Sequence, residues 1–283
     1  MDATLLQLDH VVLAVHDLSR AVDDFRALGF TVTPGGEHAG RSSHNALVVF
    51  DDGTYIEIIA WRAAAPEEGW WRTLQARGEG LVDHALLPRS VPAALAAAQA
   101  RGLSPLRGPI DGGRLRPDGV RLAWQIARAD RQDLPFLCGD LTPRALRVPE
   151  GAPRRHVNGA IGIACVQLAT DDLGTTAARY RALLGPGIAL AQSAQVGDVA
   201  CLRYRLRGTD FEIFGPAAEA AAAPGGLRTA AADASCFDRA RARLGERDVG
   251  PFALRLHVQA GASASLLEPG RTHGARIELG KRG

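Results

Sequence analysis

The sequence predicts an α+β fold made of four copies of one β-α-β-β-β unit, arranged as two pairs. Three observations carry this. An apolar strand-like run, a helical run and a glycine recur in the same order, with Gly29, Gly102 and Gly185 standing where a left-handed residue ends a helix. The strand-to-helix junction recurs as Asp17-Leu18 and Asp172-Leu173. The copies are spaced by roughly 55–80 residues, the signature of an internal repeat.

Leu8-Asp9-His10-Val11-Val12-Leu13-Ala14-Val15 opens the first unit as a strand over 7–15. Ser19 to Leu28 follows as an amphipathic helix with Ala21, Val22, Phe25 and Leu28 on one face. A short strand over 30–33 is expected to break at Pro34-Gly35-Gly36, and 37–43 reads as a polar loop. Strands 44–50 and 54–60 flank Asp51-Asp52-Gly53, a hairpin signal. Residues 62–79 connect, with Trp70, Trp71 and Leu74 on a turn of helix that packs on the sheets. The second unit reads as strand 81–87, Ser90 as N-cap, helix 91–101 and strand 103–107. A glycine-rich loop over 108–119 and strands 120–128 and 135–138 complete it.

Residues 141–159 carry three prolines and read as a linker. The third unit opens at Ile161, with a helix over 175–184 and strands near 188–192, 199–206 and 208–214. A degenerate fourth covers 227–280, with a helix at 235–244 and a last strand at 276–279. The expected division is a paired unit with the site over 1–142, a linker over 143–159 and a second pair over 160–283. Unit boundaries fall near 61–80, 141–160 and 215–227.

A chain of 283 residues with 46% hydrophobic residues is long enough to bury a sizeable core. A net charge of +2 gives no general attraction to nucleic acid or anionic membrane. Almost all basic charge is arginine, scattered along the chain, with Lys281 the single lysine. Cys138, Cys165, Cys201 and Cys236 lie far apart, with no CxxC pair, as expected of reduced thiols. No apolar stretch is long enough to span a bilayer. The expectation is a cytoplasmic protein with a small-molecule substrate, no nucleic-acid or membrane partner, and room for a homodimer.

Chemistry concentrates on three apolar strands. His10 interrupts the first, Glu57 interrupts Tyr55-Ile56-Glu57-Ile58-Ile59, and His84 repeats the Asp-His pair in Leu81-Val82-Asp83-His84. Two histidines and a carboxylate are costly to bury unless something satisfies them, and a divalent metal would satisfy all three. The alternative for each histidine is a hydrogen-bonded core residue. His44 begins a strand beside the polar loop, as ligand, general base or pocket-rim residue. His38, Arg41 and Asn45 are rim candidates. No nucleophile elbow or dinucleotide fingerprint is present.

Together these motifs resemble the vicinal oxygen chelate superfamily, and the first half resembles its glyoxalase-like domain family. The resemblance rests on Leu8-Asp9-His10-Val11-Val12, on Gly29 through Gly36, and on Gly40-Arg41-Ser42-Ser43-His44-Asn45-Ala46-Leu47. Tyr55-Ile56-Glu57-Ile58-Ile59 and His156-Val157-Asn158-Gly159-Ala160 extend it. It implies that each pair of units forms a cupped half-barrel, with metal ligands on the first and fourth strands. His10, Glu57 and His84 would then hold Zn, Mn, Fe or Ni, with Leu137 aligned to Glu57 as an empty corner. In the second pair Cys165 falls at the place of His10, and Glu212 and Glu278 keep the fourth-strand carboxylates without a histidine. That pair reads as structural or as a poor metal site.

Two functions follow. One is a metalloenzyme of isomerase, lyase or dioxygenase type, with the metal as Lewis acid on a small oxygen-chelating substrate. Glu57 would act as ligand or base there, His44 would move a proton, and Arg41 and Asn45 would line the substrate pocket. The other is a metal-free protein that sequesters an aromatic or hydrophobic compound in the same cup.

Overall fold

The computed structural model describes residues 6–186, 188, 190–217, 234–245 and 249–281. The fold is α+β, and the first pair of units goes beyond a half-barrel: its eight strands close. Strand β1 (Gln7–Ala14) leads into helix α1 (Leu18–Ala27), where Asp17 Oδ1 accepts from Arg20 N at 3.1 Å and caps the first turn. β2 (Thr33–His38), β3 (Ser43–Val49) and β4 (Tyr55–Trp61) complete the unit. Helix α2 (Gly69–Arg77) crosses to β5 (Gly80–Leu87), α3 (Val91–Ala100), β6 (Arg107–Leu115), β7 (Arg121–Arg128) and β8 (Phe136–Asp140). Around the barrel the order is β1-β4-β3-β2-β6-β7-β8-β5.

Closure depends on a narrow seam. Only Glu37↔Leu115 and His38↔Arg114 pair β2 with β6. Pro34-Gly35-Gly36, expected to end a strand, lies inside β2, with a bulge between Pro34 and Gly36. A Cβ on Gly35 would lie 2.0 Å from Asn45 Oδ1, and one on Gly36 2.1 Å from the Leu115 carbonyl oxygen. These glycines are breakers in sequence, but here they let backbone and side chains close the ring. Residues 108–119 are corrected in the same way. The expected loop is mostly strand β6, and no strand forms at 103–107 apart from its last residue. A Cβ on Gly112 would meet the Trp124 indole at 2.5 Å, so the glycine makes room for that ring.

Two bulges set which side chains enter the barrel. β1 and β5 pair antiparallel, and the register slips once at Asp9 in β1 and once at Val82 in β5. The two strands are related by this symmetry: Val12 pairs Asp83 as His10 pairs Ala85. His10 therefore corresponds in space to Asp83, and Val12 to Ala85. Val12 pairs Glu57 on β4 and Ala85 pairs Phe136 on β8, so Phe136 stands where Glu57 does in the other unit.

The segment expected to be a linker is folded against the barrel. Helix α4 (Arg144–Arg147) sends both terminal arginines onto Asp9, and a 3-10 turn follows at Ala152–Arg154. The second half comprises β9 (Ala160–Ala169), α5 (Leu173–Leu184), β10 (Leu190–Val196), β11 (Val199–Leu206) and β12 (Thr209–Pro216). Helix α6 (Ala234–Gly245), β13 (Gly250–Val258), β14 (Ser265–Leu266) and β15 (Arg276–Lys281) end it. Its strands form an open sheet in the order β10-β11-β12-β9-β13-β15-β14. The expected boundary near 215–227 falls largely outside the described residues. One apolar core runs from barrel to sheet, from Leu8, Val11 and Leu13 to Val166, Tyr204 and Leu254. No helix among the described residues is long and apolar enough to cross a membrane.

Candidate functional site

Inside the barrel is a cavity of about 120 Å³. His10 on β1, His38 on β2, Asn45 on β3, Glu57 on β4 and Arg114 on β6 line one side. Trp70, Trp124, Ile126 and Phe136, from α2, β7 and β8, line the other. The Tyr55 ring stacks on His10 at 4.6 Å, and the Phe136 ring meets it edge-on at 5.4 Å.

The polar side is one connected chain. Arg114 Nη1 donates to Asn45 Oδ1 at 3.0 Å, and Asn45 Nδ2 donates to Glu57 Oε1 at 2.6 Å. Glu57 Oε2 lies 3.4 Å from His10 Nε2, and His10 Nδ1 bonds Asp9 Oδ2 at 2.7 Å. Asp9, fully buried, accepts from Arg147 at 2.8 Å and from Arg144 at 2.6 Å. Arg147 also donates to Tyr55 Oη and to Asp140, both at 2.5 Å. The Asn45 amide is oriented by its two charged neighbours, a guanidinium on its oxygen and a carboxylate on its nitrogen.

These contacts set the charges. Burial works to raise the Glu57 carboxyl, but His10, then His38 and the Asn45 amide hold it down to about 2. Burial disfavours the charged His10 ring, yet Asp9 and Glu57 on its two nitrogens lift it above its ordinary value. Asp9 resists burial through Arg147, His10 and Arg144 and stays well below the usual carboxylate range. His38 is pulled down by burial, which outweighs the nearby Glu57. The Cys138 thiol is pushed up by burial to about 12, so it is an inert wall residue.

The cavity gathers His10 and Glu57, and Arg41 and Asn45 line it. His84 is not there. The bulge at Val82 turns Asp83 to the cavity side of β5, where Trp70 Nε1 donates to it at 2.8 Å and Arg128 at 3.3 Å. His84 faces the second half instead: its Nε2 meets the Tyr180 hydroxyl at 3.2 Å and its ring lies 5.7 Å from Phe211. Burial, with the charge of His10 adding to it, lowers His84 to about 3. His44 is also corrected. β3 alternates, so Ser43 and Asn45 point into the barrel while His44 points out toward α1, beside Arg26 and Arg62. Leu137 joins the outer core, and the inward positions of β8 are Phe136 and Cys138.

The three-ligand set expected for a metal therefore does not assemble. Among the described residues no group of three or more histidine, cysteine, aspartate and glutamate side chains is placed to hold a metal ion. The second half carries the repeat as expected. Cys165 pairs Asp210 as His10 pairs Tyr55, and Glu212 takes the place of Glu57 opposite Gln167. There the carboxylate is closed off by Arg203 at 2.5 Å, Arg255 at 2.7 Å and Gln167 at 2.8 Å. Glu278 pairs with Arg276.

The sequence reading missed Arg114, Arg147, Trp124 and Phe136 as cavity residues. The buried aspartate beside His10 was a signal for Arg147 alone, since a carboxylate on an apolar strand needs cations from elsewhere in the chain.

The family model of a glyoxalase-like domain matches residues 8–184. A hypothetical protein from Staphylococcus aureus is similar in structure, with a TM-score of 0.69, 14% identity, and 98% of this chain and 99% of that one covered. A variant of 4-hydroxymandelate synthase from Streptomyces coelicolor gives a TM-score of 0.60 at 12% identity, over 98% of this chain and 94% of that one. A xylose isomerase-like TIM barrel/4-hydroxyphenylpyruvate dioxygenase fusion protein gives 0.50 at 18% identity, over 92% of this chain and 39% of that one. Identities this low speak for the fold alone. No curated protein sequence matches the chain.

Proposed function

Since the chain belongs to the glyoxalase-like domain family, we propose that its barrel takes up a small aromatic compound without a metal. The divided wall carries this reading. Trp70, Trp124, Ile126 and Phe136 give one side an apolar, largely aromatic surface, while Glu57, Asn45, His10 and His38 face it with hydrogen-bonding groups. Such a pocket, apolar with a few convergent polar groups, suits a ring with a polar end. An apolar cavity of ~150 Å³ holds benzene, so a pocket of 120 Å³ has room for no more than a single ring.

Calorimetric titration with phenol and benzamide tests this. Saturable binding to the wild type is expected, and Trp124→Leu should weaken it about tenfold, the scale of a lost aromatic contact plus its buried area. Absence of saturable binding, or equal binding by the variant, would overturn the reading.

A second reading keeps a divalent ion as Lewis acid on an oxygen-chelating substrate, of isomerase, lyase or dioxygenase type. One observation favours it: His38 Nε2 lies 3.5 Å from Glu57 Oε1, so a second histidine faces the carboxylate. His10 and His38 would both have to turn from Glu57 onto one point. Titration of Zn(II), Mn(II) and Fe(II) separates the two readings. Tight binding that His10→Ala abolishes would replace the metal-free reading.

A further inference from the structure

Three arginines line the cavity, and their charges are not equally answered. Arg147 is paired with Asp9 and Asp140, and Arg41 faces Glu68 at 3.4 Å. Arg114 is 3% exposed, and no carboxylate lies within ion-pair distance of it among the described residues. Its two hydrogen bonds go to neutral acceptors, Asn45 Oδ1 and the Arg147 carbonyl oxygen, both at 3.0 Å. Its Nε is buried without a partner. Glu57 reaches it only through the Asn45 amide, and that carboxylate is already met by His10.

A guanidinium out of water with no carboxylate in direct contact is costly, because its desolvation is repaid only by a well-placed partner. The chain also makes special room for it. A Cβ on Gly35 would stand 2.6 Å from Arg114 Nη1. Its position on β6 opposite His38, at the seam of the barrel, puts it on the same wall as Glu57 and across from the aromatic side.

Resting on the aromatic-ligand reading above, we propose that the natural ligand is an anion, a single ring bearing a carboxylate, and that Arg114 is the residue that selects its charge. Trp124 and Phe136 would hold the ring. The free Nε proton and the unused proton of the adjacent Nη would take the two carboxylate oxygens side-on, a fork geometry that guanidinium suits better than ammonium. Asn45 then has a further role. It separates Arg114 from Glu57, so that the cation is not neutralised before the ligand arrives.

The test uses three single-ring probes of different charge, benzoate, benzamide and benzylammonium, titrated calorimetrically into the full chain at neutral pH and low salt. Benzoate is expected to bind at least about tenfold more tightly than benzamide, with benzylammonium the weakest. Arg114→Met should cut benzoate affinity by about 10- to 100-fold, the scale of hydrogen bonds to a charged group, and leave benzamide within about twofold. Arg114→Lys should restore part of the preference. Equal binding of benzoate and benzamide by the wild type would overturn the charge assignment while leaving the ring reading intact. Equal loss of both probes in a folded Arg114→Met would make Arg114 a structural residue and also overturn it. Failure of all three probes would fell the ring reading and the assignment together.

Discussion

Replacing Asp9 by alanine is expected to destabilise the protein by about 3–5 kcal/mol, the usual consequence of removing one partner from a buried charge cluster. Asp9 is fully buried and receives Arg144, Arg147 and His10. Without it Arg147, itself 4% exposed, keeps Asp140 as its one counter-charge beside the Tyr55 hydroxyl, and His10 loses the acceptor on its Nδ1. The cluster would carry surplus positive charge in a low-dielectric interior, which is a larger penalty than the loss of any one hydrogen bond. Asp9→Asn preserves the shape and two polar atoms and should cost less. Urea denaturation of the three proteins checks this. A loss under about 1 kcal/mol for Asp9→Ala would mean that water reaches the cluster and screens it. The effect should extend to the cavity, because His10 is then oriented by Glu57 alone.

Acid should weaken the protein well above the pH at which carboxylates titrate, and His84 is the reason. Its ring lies fully buried between β5 and the second half, and its folded value is about 3 against an ordinary 6.5. A depressed folded value means that the unfolded chain binds the proton first. The stability is fully present above the ordinary value and is lost as the pH falls toward the folded one. Each unit of that fall is worth ~1.4 kcal/mol, so by pH 4.5 about 2–3 kcal/mol should be gone on account of His84. His84→Gln, uncharged throughout, should lose that much less between pH 7 and 4.5. His10 has the opposite sign. Its raised folded value adds stability below the ordinary histidine value and loses it as the pH rises through the folded one. Denaturation curves at pH 7, 5.5 and 4.5 for both proteins decide the matter. Parallel curves would show that His84 accepts a proton in the folded state.

The repeat, the helices and most strands were legible because each rests on local chemistry: aspartate caps, terminal glycines and apolar alternation. His10 and Glu57 were legible as well, since a charged residue on an apolar strand is conspicuous. What was not legible is register. The Asp-His pairs at 9–10 and 83–84 match in letters, but the slips at Asp9 and Val82 make Asp83, not His84, the counterpart of His10 in the repeat. A shift of one residue in a strand exchanges its faces, so His84 moved from the cavity to the far side of β5. His44 was placed by its position beside the polar loop, whereas the pleat of β3, which begins at Ser43, turns it outward. Gly35 and Gly112 read as breakers because their purpose, space for Asn45, Arg114 and Trp124, belongs to strands distant in sequence, and Gly36 and Gly113 because they admit the backbone carbonyls of Leu115 and Leu122. Arg147 sat in a proline-rich stretch that resembles a linker in composition and is pinned by charge.

The placing of Phe136 where its sister unit has Glu57, and of Asp83 where it has His10, reaches past the question of metal. A barrel of two like units has an approximate half-turn axis. A cup faithful to that axis would accept the same guest in two equivalent poses. Here one unit has kept its polar side chains while the other presents aromatic ones, so the two poses are no longer degenerate. A guest with one polar end then has one preferred pose, its polar end toward β4 and its ring toward β8. The asymmetry that emptied half of the ligand set has given the cup a head and a tail.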